Sequence, residues 1–438
     1  MVIAIVIQNI FELDDFASIV VYVMAGIQTF RTYNARLNNR ESAPAQVDVV
    51  VIGGGATGVG AAYDLAQRGF SVALLEKNEL GAGTSGHFHG MLHSGARYAI
   101  DDLETAALCM KENQILRRIA GTAVKNTGGY FLALNGKEVD YAERLIGACR
   151  DAGIPVNKID AAEIIHREPA IAPATRIKYA VHVPDGSIDS KGLLALNRQA
   201  AERAKSPPVF LTHHEVMSFH RKAGRIDAVT VRDGLTQEVM TVGCNYVVNA
   251  AGVWANVISQ LAGVTIELVW DKGSMVVLEQ CYTRTVINRC RPQADGDIIV
   301  PLNGNSIVGT TSTRTDDIDA PRVEQWEIRA LLQEASELVP AIGHAKVRFA
   351  YAGVRPLLGS GSLGISDRTI SRSFRVIDHA EDGVENFISI VGGKLTIYRH
   401  MAEVAADLIC RKENVYRPCR TSELNLTETD PKPEAVRL

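Results

Sequence analysis

From Val49 to Ile52 the chain runs through four β-branched residues in a row and stops at three glycines. A short continuous apolar run with such a stop predicts a parallel strand buried on both faces. A helix-compatible stretch follows over 56–68, Gly69 and Phe70 interrupt it, and Ser71-Val72-Ala73-Leu74-Leu75-Glu76 restores the strand pattern. The segment therefore predicts a strand–helix–strand unit with its two strands parallel. Asp101 and Asp102 then stand where a helix N-cap belongs, and Leu103, Ala106, Ala107 and Met110 recur at helical spacing, so a long helix is expected from 103 onward. Farther along, strand-like runs at 209–212, 226–231, 275–278 and 306–308 alternate with polar turns and predict a second, sheet-rich domain. A helical pattern over 323–339 ends at Pro340.

Composition narrows the function classes. With 438 residues, 46% of them hydrophobic, the chain can bury a large core and is expected to form two joined domains. A formal net charge of -4 gives no basic field for nucleic acid, so any bound anion must be held by local groups. The seven cysteines are scattered, odd in number and never spaced C-x-x-C, a pattern that excludes a disulfide framework and a cysteine-bound metal and fits reduced thiols in the cytoplasm. The apolar runs 1–7 and 16–24 are separated by Glu12, Asp14 and Asp15, so neither reaches the roughly 18 residues of a membrane span. Arg31, Arg36 and Arg40 follow these runs instead of preceding them, unlike a signal peptide. Residues 1–46 thus read as a poorly ordered extension, with Met24 as a second candidate start and an amphipathic surface anchor as the alternative. The polar stretch 421–438 reads as an exposed tail.

The chemistry begins at the first turn. Gly53-Gly54-Gly55-Ala56-Thr57-Gly58 supplies G-x-G-x-x-G between the predicted strand and helix, which brings a pyrophosphate close to the helix N-terminus. Glu76, at the end of the second strand and 18 residues past Gly58, is placed to accept from ribose hydroxyls. This is a Rossmann-like unit, and FAD and NAD share the part of the ligand it reads. Two later segments favour a flavin: the strand-to-turn run Val247 to Trp254, which resembles the second nucleotide-contacting strand of two-domain flavoproteins, and Val391-Gly392-Gly393-Lys394-Leu395-Thr396, where backbone N–H groups and a cation precede a helix.

With these segments in order, the chain resembles the glycerol-3-phosphate dehydrogenase flavoproteins of the D-amino-acid-oxidase-like superfamily, over roughly residues 48–426. The motifs that carry the resemblance are Gly90-Met91-Leu92-His93-Ser94-Gly95-Ala96-Arg97-Tyr98, Val286-Ile287-Asn288-Arg289-Cys290-Arg291, Gly309-Thr310-Thr311, Ala352-Gly353-Val354-Arg355-Pro356-Leu357 and the run from Gly392 to Tyr398. The FAD-carrying subunit of the anaerobic, multi-subunit form is the most similar pattern. The resemblance implies an α/β flavoprotein in which 47–123, 182–265 and 373–420 bind FAD and 124–181 with 266–372 form a sheet-rich substrate domain. It implies flavin contacts at Gly53, Gly55, Gly58, Glu76, Thr84, Ser85, His93, Ala250, Gly252, Gly393, Lys394 and Thr396. It further implies substrate-phosphate contacts at Arg97, Tyr98 and Arg372, and Arg355 with Lys394 as catalytic groups at the substrate hydroxyl. Arginine's planar fork suits a phosphate, and a substrate with about two negative charges needs more than one cation beside a flavin. His93 stands as a possible base, but a backbone contact to the flavin is the preferred reading.

The implied reaction is oxidation of sn-glycerol 3-phosphate to dihydroxyacetone phosphate. Electrons would pass to a quinone or an iron-sulfur partner, with peripheral contact at the inner face of the cell membrane. Other readings stay open: another polyol phosphate, a small hydroxy or amino acid, or a FAD-holding subunit that depends on partners. Three departures bear on them. Met275 follows Lys272-Gly273-Ser274 where the aerobic form has histidine, His87 and Phe88 stand where arginine and asparagine are expected, and the chain stops at Leu438 without the cysteine-rich C-terminal domain usual for the anaerobic form.

Overall fold

The run of β-branched residues forms the strand Gln46–Ile52, with Val49, Val50 and Val51 wholly buried. Parallel strands flank it on both sides, Val72–Glu76 and Val239–Asn249, which is why its pattern shows no alternation. The helix Ala56–Gln67 joins the first two strands and is stopped by Arg68 and by Gly69, whose φ is +80°. This computed structural model describes residues 42–171, 177–359 and 373–427. The expected N-terminal extension therefore lies, almost to its end, outside the described residues, and so does Arg372. All elements below belong to the unit that begins at Pro44.

Among the described residues the first sheet has eight strands. Val209–Thr212 pairs in parallel with Val72–Glu76, and Phe387–Gly392 pairs in parallel with the end of Val239–Asn249. The antiparallel pair His214–Lys222 and Arg225–Asp233 extends the other edge, and Phe374–Asp378 lies against Phe387–Gly392. Helices Ala56–Gln67, Ser190–Glu202 and Tyr398–Lys412 pack together on this sheet around Leu65, Leu74, Leu193, Tyr398 and Met401.

A second sheet has nine strands among the described residues, among them Gly129–Ala133, Tyr179–Val183, Leu268–Leu278, Ile298–Leu302, Asn305–Gly309 and Val347–Leu358. Leu331, Ala335 and Leu338 of the helix Gln325–Leu338 seal it against Val276, Ile287 and Ile299. The strand expectations at 275–278 and 306–308 fall in this sheet. Those at 209–212 and 226–231, which the strand pattern alone put in a sheet-rich domain, belong to the first sheet, within the span 182–265 that the resemblance gave to FAD binding. An alternating or apolar run reports that a strand exists, while its partner is fixed by non-local pairing.

Asp102 caps the helix Leu103–Ile119 by accepting from Thr105 N, as the sequence suggested. The stretch expected as an exposed tail opens with Thr421 and Leu426 both buried. Leu426 N donates to Ile119 O at 2.9 Å, and Arg399 Nη1 donates to Thr421 Oγ1 at 3.2 Å. All seven cysteines are free thiols. No helix among the described residues is long and apolar enough to cross a membrane.

Candidate active site

The glycine-rich turn sits where the first strand ends and the helix Ala56–Gln67 begins. A Cβ on Gly58 would lie 1.9 Å from Gly53 O, and one on Gly53, at φ +109°, would lie 2.5 Å from Ala250 O. Only glycine lets the helix start that close to the two strand ends. Gly55 at the N-cap brings no side-chain cap, and Ser85 Oγ accepts from Ala56 N at 2.9 Å. Glu76 Oε2 accepts from Gly54 N at 2.7 Å and its Oε1 from Asn78 N at 2.7 Å, which holds the carboxylate at the mouth of the turn.

From this turn one cleft runs on to the second sheet. Its lining contains Gly53, Gly55, Glu76, Thr84, Ser85, His93, Ala250, Gly252, Gly393, Lys394 and Thr396, together with Arg97, Tyr98 and Arg355. Residues named from distant stretches of sequence thus share one wall. Gly58 is the exception, packed beneath Gly53 instead of facing the cleft. A cleft that begins at a side-chain-free helix start beside the Glu76 carboxylate and continues to a cationic end fits an adenine dinucleotide whose reactive ring lies at the far end.

At that far end, Lys394 Nζ lies 4.1 Å over the Tyr98 ring. Tyr98 lies 5.5 Å from the His93 ring, and His93 lies 5.3 Å from the His89 ring, edge to face. Lys394 precedes the short turn Leu395–Ile397 that opens the helix Tyr398–Lys412, so its backbone N–H belongs to a helix-start region. Arg355 lies on Val347–Leu358 directly opposite Asp271 of Leu268–Leu278. Its Nε is 3.2 Å from Asp271 Oδ2, and its Nη2 donates to Thr311 O at 2.7 Å. Arg97 is buried, with Nη2 3.0 Å from Asp297 Oδ2 and Nη1 donating to Asn288 Oδ1 at 3.3 Å. Arg291 also binds Asp297 and pairs with Glu334, so two arginines and two carboxylates form one ion-pair cluster.

Sequence reasoning preferred a backbone role for His93. In the structure its N–H donates to Thr396 Oγ1 at 3.2 Å and its carbonyl accepts from Asn113 Nδ2 at 3.1 Å, while its buried Nδ1 has no partner among the described residues. The ring therefore carries the unused hydrogen-bonding capacity. Burial pushes His93 well below the ordinary imidazole range, and His89, Lys394 and Arg97 add to that. His89 is held down to about 3 by burial and by Arg355 and Arg97. Both rings are neutral at physiological pH.

Sequence reasoning passed over His89, although it stands two residues from His87 and four from His93 in one glycine-rich segment that the cleft uses. It also passed over Lys77 and Asp319. Trp254 Nε1 donates to Asp319 Oδ1 at 2.8 Å, Lys77 Nζ lies 3.3 Å from the same oxygen, and Lys77 stands 4.0 Å over the Trp254 ring. Lys272, by contrast, points away from the cleft into a buried pair with Glu327 at 2.9 Å.

Comparison with known proteins agrees with this geometry. The family described as FAD dependent oxidoreductase matches residues 48–408. Over 382 residues the chain is 44% identical to a subunit of the anaerobic glycerol-3-phosphate dehydrogenase of Escherichia coli strain K12, covering 86% of this chain and 70% of that one. It is 42% identical over 386 residues to the corresponding subunit from Haloferax volcanii, covering 86% and 65%. Among solved structures, the fold is shared with glycine oxidase from Geobacillus kaustophilus at a TM-score of 0.69 and 22% identity, covering 89% and 100%. It is shared too with the FAD complex of glycerol-3-phosphate dehydrogenase from Bacillus halodurans, at a TM-score of 0.63 and 24% identity, covering 87% and 68%.

Proposed function

The chain belongs to the FAD-dependent oxidoreductase family, alongside subunits of the anaerobic glycerol-3-phosphate dehydrogenases, and from that premise we propose that it oxidises sn-glycerol 3-phosphate to dihydroxyacetone phosphate. The observation that carries the reading is that Arg97, Arg355 and Lys394 converge at one end of the cleft whose other end is the dinucleotide turn. A protein that only stored a flavin would need no such group of cations there.

FAD, when bound, supplies the acceptor for the hydride leaving C2 of the substrate. Arg97 and Tyr98 hold the phosphate, with Arg372 as a further phosphate contact in the family pattern. Arg355 and Lys394 stabilise negative charge developing on the substrate oxygen as its proton leaves. His93 takes that proton: its ring is neutral, its Nδ1 is unpartnered, and its backbone is fixed by Thr396 and Asn113. The relatives are named as subunits, and we infer that a partner protein, iron-sulfur or quinone-linked, takes the electrons onward. With that route the protein works in the cytoplasm, in peripheral contact with the inner face of the membrane.

The test is anaerobic stopped-flow mixing of the FAD-loaded protein with sn-glycerol 3-phosphate, glycerol, erythritol 4-phosphate and D-alanine. Rapid bleaching of flavin absorbance by glycerol 3-phosphate alone is expected. Bleaching by D-alanine and not by the phosphate ester overturns the substrate assignment.

A further inference from the structure

We propose that His89 is a specificity-determining residue of this cleft, whose Nε2–H donates to a phosphate oxygen of the substrate in the space between Arg355 and Arg97. This rests on the reading of the cleft as a polyol-phosphate site and names a group that reading does not use.

His89 Nδ1 accepts from Met91 N at 3.1 Å, so the proton of the neutral imidazole resides on Nε2. Among the described residues no protein group bonds Nε2, and His89 lines the same cleft as His93, Arg97 and Arg355. The ring is wedged between neighbours, tilted against Phe88 at 5.7 Å and edge-on to His93 at 5.3 Å. A Cβ on Gly309 would stand 3.8 Å from His89 Cβ, so the residue packs beside the second sheet. Burial first, then the two arginines, keeps the ring neutral until pH falls toward about 3, so the donor is unchanged around neutrality.

A neutral donor suits this place for an electrostatic reason. Arg97 already shares Asp297 with Arg291, and Arg355 already faces Asp271. A further cation would need a further buried counter-charge, whereas an N–H adds a hydrogen bond to an anionic oxygen without one. A phosphate monoester presents three terminal oxygens and a carboxylate two, so a donor added beside Arg97 and Tyr98 favours the phosphate.

The test compares FAD-loaded wild type with His89→Ala, His89→Asn and His89→Gln. Asparagine can reproduce the acceptor at Nδ1, and glutamine the donor at Nε2. The readouts are the limiting rate of flavin bleaching by sn-glycerol 3-phosphate, its apparent dissociation constant, and the dissociation constant of inorganic phosphate from flavin difference spectra. Melting temperature and flavin content establish folding. Loss of a donor to a charged group is expected to weaken binding of both anions roughly 10- to 100-fold in the alanine and asparagine variants, with the limiting rate within about threefold of wild type. Glutamine is expected to restore most of the affinity. Rescue by asparagine but not glutamine would assign His89 to holding Met91 N and overturn the proposal, as would a fall in rate with unchanged affinity. Unaltered inorganic phosphate binding in the alanine variant overturns it too. Wild type that glycerol 3-phosphate does not bleach would instead sink the underlying substrate reading.

Discussion

Arg355 occupies the space that a side chain on Gly273 would need: a Cβ there would lie 2.1 Å from Arg355 Nη2. The two residues stand diagonally across adjacent antiparallel strands, Arg355 opposite Asp271 and Gly353 opposite Gly273. Glycine at 273 thus permits the guanidinium to bend back over the strand and reach Thr311 O. Gly273→Ala should displace the guanidinium while keeping the fold, because the nearest obstructing atom is the end of a flexible side chain and Thr311 O, at 3.1 Å, need give only slightly. The expected result is a fall in the limiting rate of flavin reduction on the order of 100-fold, with flavin content retained. A rate within threefold of wild type in anaerobic stopped-flow would remove Arg355 from the catalytic role given to it.

The neutral histidines set the pH behaviour. His93 and His89 have folded-state pKa values below their ordinary 6.5, so neither gains its proton as pH falls through 6.5. Flavin reduction should therefore show no loss centred near 6.5. The sign for stability is opposite to that of a salt-bridged histidine: the unfolded chain binds these protons first, so each ring contributes stability above pH 6.5 that is lost below it. A bell-shaped reduction profile with an acid limb at 6.5 would mean that one ring meets bulk solvent.

The bond from Trp254 to Asp319 closes the cleft beside Glu76, and Lys77 completes it. Asp319 comes from the segment after the second sheet's strand Thr313–Arg314, whereas Lys77 and Trp254 follow strands of the first. This contact therefore ties both sheets across the dinucleotide end. Both charged groups are substantially exposed, so the effect is small: Asp319→Ala should speed FAD release roughly two- to fivefold, and wild-type release should quicken with salt. Flavin release followed by fluorescence recovery checks this, and release insensitive to both changes would leave the contact without a retaining role.

Much of this arrangement could be read from the chain. The strand–helix–strand unit, the glycine turn with Glu76 and the Asp102 cap depend on local pattern, and local pattern survives folding. What could not be read depends on pairing over long separations. Arg97 meets Asp297 200 residues away, and Lys272 meets Glu327 55 residues away. The first is a cation whose charge is shared, the second a cation turned out of the cleft, and no spacing rule separates either from an exposed arginine or lysine. His89 was missed for another reason. Its significance lies in which ring nitrogen is occupied, a property of three-dimensional contact with Met91 N.

Glu327 stands one step behind Arg355. Its carboxylate accepts from Lys272 Nζ at 2.9 Å and Thr311 Oγ1 at 2.8 Å, and Thr311 O is the group that Arg355 binds. Glu327→Gln would leave the largely buried Lys272 ammonium without its counter-charge, a change expected to cost about 3–5 kcal/mol. Urea denaturation of the FAD-free protein measures it. Replacing both residues, Lys272→Met with Glu327→Leu, should recover most of the loss, and a double variant no better than the single one would assign the cost to Thr311 instead of the ion pair.

Behind the cleft, Arg399 joins helix Tyr398–Lys412 to helix Leu103–Ile119, the helix whose Asn113 fixes His93. It binds Glu112 at 2.6 and 2.8 Å and Glu403 at 2.8 Å. The bond from His400, then Arg399, pulls Glu403 from 4.5 down to about 2 against the opposing effect of burial. A carboxylate with a depressed folded pKa contributes stability that is complete above 4.5 and is lost as pH falls toward 2. Glu403→Gln should therefore lower stability at pH 7 by on the order of 1–3 kcal/mol, and the gap to wild type should narrow by pH 3.5. Because the network also positions Asn113, flavin binding should weaken over the same acid range in wild type. A gap that is equal at pH 7 and pH 3.5 would show that Glu403 acts through packing and not through its charge.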